Sequence, residues 1–342
     1  MHTDRPILDR RAVLRAFGVG VAGLAVGGAS ACADNSDGSG ATTQQAETFK
    51  AQAAVSHATA LVHAAPLHIA AQLGYYRDEK LDIEHISFPG GTQTIRGMEG
   101  AIGFGMPSSL GVLTAYEKGR KELRIIACEF NAASIDFITP ANSKIKTIND
   151  LRGAKIAVSS PGSNSDYFAR TAVTKAGLTV GKDVQVVPAG EAPDAWTAAS
   201  KGVVDVAWCA SPLLDKLTLG GEARTVWRSR EYMPSWVDTC FAVRKEFLDA
   251  NRDALKRWVG AVGKAIDLIS SDPDKASQAY ATAVNLAPEA AKAALTSWPS
   301  GTWSLKINRA GLEANVKAGL ELKQLKSEAP LDEIIVPDFV SS

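Results

Sequence analysis

The sequence predicts an α/β protein with two lobes. Each lobe is expected to be a mixed, mainly parallel sheet flanked by helices, with a ligand cleft between the lobes. Three observations carry this expectation. Short β-rich runs alternate with helical patterns from Phe49 to Arg228, the signature of parallel strands joined by right-handed crossovers. The alternation falls into two blocks, 49–134 and 137–236. After Lys245 helical patterns take over, at 246–270, 273–284, 288–298 and 309–326, with Ser271-Asp272-Pro273 as a break-and-start signal.

Taken in order, Phe49 to Val55 is the first strand, and Ser56 to Ala65 a loop. Pro66 opens a helix with Leu67, Ala70 and Ala71 on its apolar face, and Gly74 ends it. Leu81 to Phe88 alternates as a second strand and Thr92 to Glu99 is a short helix. Ala101 to Gly105 is a third strand, Met106 to Ser109 leads into a helix ending at Gly119, and Leu123 to Glu129 is a fourth strand. The second block holds strands at Ile135–Thr139, Lys155–Ser159, Val184–Pro188, Val203–Ala207 and Ala223–Arg228. The strand at Thr239–Arg244 must return to the first sheet. Lobe I is therefore expected to be 49–134 plus 239–342 and lobe II 137–236, with hinge crossings near 133–138 and 234–239.

The stretch Thr147–Leu178 is the clearest unit. Lys155–Ser159 is a buried strand, Ser160–Asn164 a small polar loop, and Ser165–Ala176 a helix with Gly177 as its C-terminal glycine. Ser163 with Asp166 three residues on fits a capping box. Ligands of open α/β sheets sit beyond the carboxyl ends of strands. The loops at 56–65, 106–109, 160–164 and 208–212 all leave such ends. Their polar residues Ser56, Thr59, His63, Ser108, Ser109, Ser160, Ser163, Asn164 and Ser211 are the candidate ligand contacts, each also an ordinary turn former or helix cap. Trp208 and Trp236 are the candidate stacking aromatics, with packing as the alternative role.

The chain of 342 residues has room for about two domains, and 46% hydrophobic residues supply a core. Its net charge is zero, so nothing marks a nucleic-acid footprint. Cysteines 32, 128, 209 and 240 form no C-x-x-C pair, which argues against a thiolate zinc site or dithiol redox centre. His57, His63 and His68 are six and five residues apart, a spacing that does not share a helical face. No metal or other cofactor is expected. Cys128 and Cys240 are expected as buried thiols, with a disulfide as the alternative.

Residues 1–31 are expected to be an export signal. Arg10-Arg11 precedes Ala16–Ala29, a weakly apolar run too short to span a bilayer, which reads as a twin-arginine signal. Ala29-Ser30-Ala31-Cys32 resembles a lipoprotein cleavage box with Cys32 as the lipidated residue; plain cleavage after Ala31 is the alternative. Residues 32–48 are small and polar, as a flexible tether would be.

Several segments together carry a family resemblance. Ala65-Pro66-Leu67-His68-Ile69-Ala70, Leu73-Gly74-Tyr75-Tyr76 and Glu79-Lys80-Leu81-Asp82-Ile83-Glu84 resemble the opening of nitrate/sulfonate/taurine-type substrate-binding proteins of ABC importers. Ile148-Asn149-Asp150-Leu151-Arg152-Gly153, Pro161-Gly162-Ser163, Gly202-Val203-Val204-Asp205 and Val243-Arg244-Lys245-Glu246-Phe247 resemble their later segments. Gly103 departs from that pattern, standing where an Asp is frequent. The resemblance implies a type II periplasmic-binding-protein fold and hinge closure on a small-molecule ligand. It further implies delivery to an ABC permease and its ATPase. The chain is expected to be a monomer, held at the outer face of the cytoplasmic membrane by the lipid on Cys32. No arginine lies in the four loops, which favours an organic acid, sulfonate or neutral heterocycle held by neutral donors over a small inorganic anion. The competing readings are an enzyme on the same fold, such as a thiamine-pyrimidine or menaquinone-pathway enzyme, and a ligand-binding partner of a sensory receptor.

Overall fold

The computed structural model describes residues 47–58, 61–337, 339 and 340. The export signal, Cys32 and Thr59 lie outside these described residues. The first sheet is laid down by β1 (Phe49–Ser56), α1 (Ala65–Gln72), α2 (Tyr75–Asp78), β2 (Leu81–Phe88), α3 (Gly91–Gly97), β3 (Phe104–Met106), α4 (Ser109–Glu117) and β4 (Leu123–Phe130). The second is built from β5 (Asp136–Pro140), β6 (Lys155–Val158), α5 (Asn164–Lys175), β7 (Gln185–Pro188), α6 (Ala192–Ser200), β8 (Val206–Cys209), α7 (Leu213–Leu219), β9 (Ala223–Arg228) and α8 (Ser229–Tyr232). The chain then returns through β10 (Thr239–Arg244) to α9 (Lys245–Ser271), α10 (Pro273–Val284), α11 (Pro288–Thr296), α12 (Arg309–Glu321) and α13 (Leu331–Ile334).

The two sheets share one plan. Their orders are β2-β1-β3-β10-β4 and β7-β6-β8-β5-β9. In each, the strand that has just crossed from the other lobe takes the fourth place and runs antiparallel to both neighbours: β10 beside β3 and β4, β5 beside β8 and β9. The remaining pairs β1–β2, β1–β3, β6–β7 and β6–β8 are parallel. This gives two lobes of mixed sheet flanked by helices, with two crossings, β4 to β5 and β9 to β10, that exchange one strand each way.

Aromatic packing anchors each core. In lobe I the 27-residue α9 lays Leu255, Trp258, Val259, Val262 and Ile266 on the sheet at helical spacing, and Trp258 meets Phe104 and Phe241 at 4.9 and 4.5 Å between centroids. In lobe II Phe137 of β5 stacks on Trp227 of β9 at 4.3 Å. The α12 helix serves both lobes: Leu312 and Val316 join the lobe I core, Ala314 and Ala318 that of lobe II.

Two elements differ from the sequence reading. The third strand begins at Phe104, because Gly103 lies flat against Phe247 of α9; an added Cβ there would sit 2.1 Å from the Phe247 ring. That close approach accounts for glycine at a position where an acid would collide. The strand expected at 203–207 runs instead from Val206 to Cys209. Asp205 ends the preceding turn by accepting the Lys155 N–H at 2.8 Å, and Val203 is exposed. Trp208 is consequently a strand residue and not part of a loop.

Candidate functional site

The carboxyl ends of β1, β3, β6 and β8 meet at the lobe boundary, and the side chains there sort into those that face it and those tied up locally. Ser56 closes β1 with its hydroxyl 2.7 Å from Thr94 of α3, a bond within lobe I. Ser108 caps α4, its Oγ accepting from the Gly111 N–H at 3.3 Å, while Gly91 lies so close that a Cβ would stand 2.2 Å from the same oxygen. Ser160 is exposed and contributes its carbonyl to the Ser163 N–H.

The Ser163 loop differs from a full capping box. Ser163 Oγ accepts the Asp166 N–H at 3.3 Å, but the Asp166 carboxylate accepts from Gly162 N–H at 2.8 Å instead of from Ser163. Asp166 is also paired with Arg170 at 2.7 Å, and Ser165 accepts the Ser159 N–H at 2.8 Å. The start of α5 thus satisfies much of its own positive end, leaving little of the anion-attracting field that a bare helix N-terminus provides.

Four chain segments converge on one residue, Asp238, in the second crossing, three of them on its carboxylate. Asn164 at the start of α5 donates its side-chain amide to Asp238 Oδ1 at 2.7 Å. Ser134 of the first crossing donates its N–H to Oδ2 at 3.1 Å, and its hydroxyl bonds the same oxygen. His63, buried in the 3₁₀ turn Val62–Ala64, places Nε2 3.5 Å from Oδ2, and Ser109 donates its N–H to the Asp238 carbonyl at 3.0 Å. Burial opposes ionisation of Asp238, but His63 and Ser134 outweigh it and hold the carboxyl below the usual aspartate range. Glu129 next to it goes the other way. Burial, opposed by a 2.7 Å bond from Thr239 and reinforced by Asp238, lifts it well above the usual glutamate range. Two neighbouring acids are therefore shifted in opposite directions.

Two further contacts join the lobes. Val62 N–H donates to the Ser211 carbonyl at 2.9 Å, and His57 Nδ1 lies 3.4 Å from Glu191. Burial lowers the His57 pKa, with Glu191 opposing. Among the described residues, buried polar atoms of His63, of the Ser109 hydroxyl and of the Ser211 hydroxyl have no close hydrogen-bond partner.

Beside Ser211 the boundary opens into a chamber of about 460 Å³. Its walls include Asp136, Ser211, Asp215, Arg228 and Arg230 from lobe II and Trp298, just beyond α11, from lobe I. Asp136 stands 3.5 Å from Arg230 and 3.7 Å from Arg228, yet burial pushes its carboxyl up to about 7 against the pull of both guanidinium groups. Arg230 also lies over the Trp298 ring at 4.9 Å. Guanidinium groups therefore do reach the lobe boundary, from the end of β9 and not from the four loops.

Neither candidate aromatic faces a cleft. Trp208 is buried in β8 and donates its indole N–H to the Gly190 carbonyl at 3.1 Å. Trp236 is fully buried, stacked on Tyr167 at 5.8 Å and edge-on to Phe168 at 5.0 Å. The structure thus brings His63, Ser109, Asn164 and Ser211 together. Ser56, Ser108, Ser160 and Ser163 serve the local frame, and Asp238, Ser134, Asp136, Arg228 and Arg230 had not been singled out. The one local cue was the polar pair Asp238-Thr239 ahead of an apolar strand, inside an expected crossing.

Comparison with known proteins agrees with this architecture. The chain is 25% identical over 263 residues to a Brucella abortus (strain 2308) protein whose role as a binding protein is itself assigned only provisionally, a match covering 76% of this chain and 72% of that one. Its fold is similar to the alkanesulfonate-binding protein SsuA of Xanthomonas axonopodis pv. citri, bound to MOPS (TM-score 0.70, 20% identity, 85% of this chain and 99% of that one). It is also similar to the periplasmic aliphatic sulphonate-binding protein SsuA of Escherichia coli (TM-score 0.67, 20% identity, 84% and 92%). The desulfurization enzyme DszB shares the fold at TM-score 0.66 and 14% identity, covering 85% and 97%. Residues 61–276 match the family described as NMT1/THI5 like. The chain belongs to the NMT1/THI5-like family.

Proposed function

We propose that the protein is an extracytoplasmic solute-binding protein, anchored through a lipid on Cys32, that closes its two lobes around a small organic solute and presents it to an ABC permease and its ATPase. The observation that carries this reading is the bridge across the lobe boundary: Asn164 of lobe II on Asp238 of the crossing, with Val62 on Ser211, beside buried side-chain polar atoms that have no close partner among the described residues. Such groups cost free energy unless a ligand or ordered water completes them. In this reading His63, Ser109, Asn164 and Ser211 contact the solute, Ser56, Ser108, Ser160 and Ser163 hold the loops that carry them, and Trp208 and Trp236 stiffen lobe II. Among the described residues no helix is long and apolar enough to cross a membrane.

The DszB likeness keeps an enzyme in view. A thiol nucleophile is disfavoured among the described residues: burial pushes Cys128 up to about 11 and Cys209 to about 12, and Cys240 higher still. The test is a melting screen of the full chain against sulfonates, aromatic and aliphatic acids, amines and heterocycles, followed by uptake of the best solute in a gene deletion. A saturable shift and lost uptake support the proposal. Turnover of the solute by the pure protein, or unchanged uptake, overturns it.

A further inference from the structure

The α12 helix ties the lobes together outside the two crossings. Its start is rooted in lobe I. The Asn308 N–H donates to the Cys128 sulfur of β4 at 3.3 Å, and Leu312 and Val316 enter the lobe I core. Gly311 and Gly319 bring the helix close to its neighbours: an added Cβ would stand 2.7 Å from Val237 of the second crossing at the first, and 3.2 Å from Leu110 of α4 at the second. Its far end, about 20 Å away, reaches lobe II. There Glu321 accepts the Tyr167 hydroxyl of α5 at 3.0 Å, and the Gln324 side-chain amide donates to the Gly162 carbonyl.

The backbone aims Gln324 at that carbonyl. α12 closes in a Schellman turn, with the Gln324 N–H returning to the Gly319 carbonyl at 2.8 Å and the Lys323 N–H to that of Leu320 at 3.0 Å. Lys323 takes the left-handed place at φ +56°, where glycine is the usual residue, so the turn is held at a conformational cost. On the other side Gly162, at φ +76°, leaves just enough room: an added Cβ would sit 2.9 Å from Gln324 Nε2. The Gly162 N–H is bonded to Asp166 at 2.8 Å, and two residues on Asn164 holds Asp238. One line of bonds thus runs from α12 through the Ser160–Asn164 loop to the crossing.

We infer that α12 and its terminal turn form a latch, whose Glu321–Tyr167 and Gln324–Gly162 bonds pin the Ser160–Asn164 loop to lobe I and limit how far the lobes part. The crossings at 131–135 and 233–238 can absorb a rotation of lobe II. A rotation that carries the start of α5 away from lobe I breaks both bonds, unless α12 slides on α4, which the close packing at Gly319 resists. Tyr167, Glu321 and Gln324 are positioning residues in this account, acting on Asn164 through the loop. The inference concerns lobe movement and is independent of which solute is bound.

The test is small-angle X-ray scattering and amide hydrogen exchange of the full chain with no solute added. Glu321 is exposed and Gln324 half-buried, so changing them spares the core. Glu321→Ala combined with Gln324→Ala should give a larger radius of gyration than wild type, and exchange about tenfold faster at the amides of 162–167. Amides of β1 and β6 should keep their rates. Gln324→Glu, of the same shape but without the donor, should shift both readings in the same direction. Glu321→Gln keeps an oxygen for the Tyr167 hydroxyl and should behave as wild type. A double variant with an unchanged radius of gyration would overturn the latch. Faster exchange spread evenly over both sheets would also overturn it, by marking the two bonds as general stabilisers. Either result leaves the solute-binding reading standing.

Discussion

Replacing Asp238 by alanine tests the bridge between the lobes. The carboxylate accepts from the Ser134 N–H at 3.1 Å, from the Ser134 hydroxyl and from Asn164 at 2.7 Å, with His63 at 3.5 Å. It is ionised in a site where it is 3% exposed. A hydrogen bond to a charged group contributes about 1.5–3 kcal/mol, and breaking a buried charged cluster from one side costs about 3–5 kcal/mol; these overlap and do not add. Asp238→Ala is therefore expected to lose about 3–5 kcal/mol, a large share of the ~5–15 kcal/mol of a typical domain. Asn164→Ala removes one donor and leaves the rest, so about 1–2 kcal/mol is expected. Equilibrium urea unfolding at pH 7 measures both. The pH dependence supplies an internal control. Because the folded pKa of Asp238 is depressed, its contribution is complete above the ordinary unfolded value near 4 and is lost as pH falls through the lower folded value. The gap between wild type and Asp238→Ala should therefore narrow below about pH 4. A loss under 1 kcal/mol at pH 7, or a gap that persists unchanged at pH 3, would refute the assignment of an ionised hub.

Other perturbations have equally definite outcomes. Asp136 has a raised folded pKa of about 7, so the folded state binds its proton more readily and this group makes stability fall as pH rises from about 4 to 7. Asp136→Asn should flatten that slope in a melting series, whereas a slope identical to wild type would contradict the burial argument. Gly103→Asp installs the residue that the family resemblance leads one to expect but drives a Cβ into the Phe247 ring, itself stacked on Phe104 at 5.3 Å. It should cost about 1–3 kcal/mol, and Phe247→Ala in the same chain should recover part of that by relieving the overlap; a neutral Gly103→Asp would be the wrong result. Exchanging His57 for Gln removes the 3.4 Å contact to Glu191, and since that pair is partly solvated the stability change should stay below about 1 kcal/mol in a denaturant titration.

The layout was legible because it is written locally. The alternation from Lys155 to Ser159, the polar loop after it and Gly177 at φ +75° each specify an element through its own residues. The order of β10 and β5 within the opposite sheets follows from where a crossing strand must return. The site was less legible. Ser109, His63, Asn164 and Ser211 lie at strand ends and were within reach of a topological argument. Asp238 is one acid among many, and its partners Ser134, His63 and Asn164 are 104, 175 and 74 residues away, so nothing nearby marks it. Trp208 and Trp236 misled for a related reason. A tryptophan near a strand end has the same local sequence whether it faces a ligand or, as here, Gly190 or Tyr167. Arg228 ends the edge strand β9 and Arg230 lies in α8 just after it, outside the four loops at 56–65, 106–109, 160–164 and 208–212.

The central claim is that a solute is held between lobes that close on it. Small-angle X-ray scattering of the full chain, through a titration with the solute that gives the largest melting shift, tests this most directly. The expected result is a decrease in radius of gyration that saturates at one solute per chain and is diminished in Asn164→Ala. A scattering profile that stays constant through saturation in wild type, while calorimetry reports binding, would contradict it.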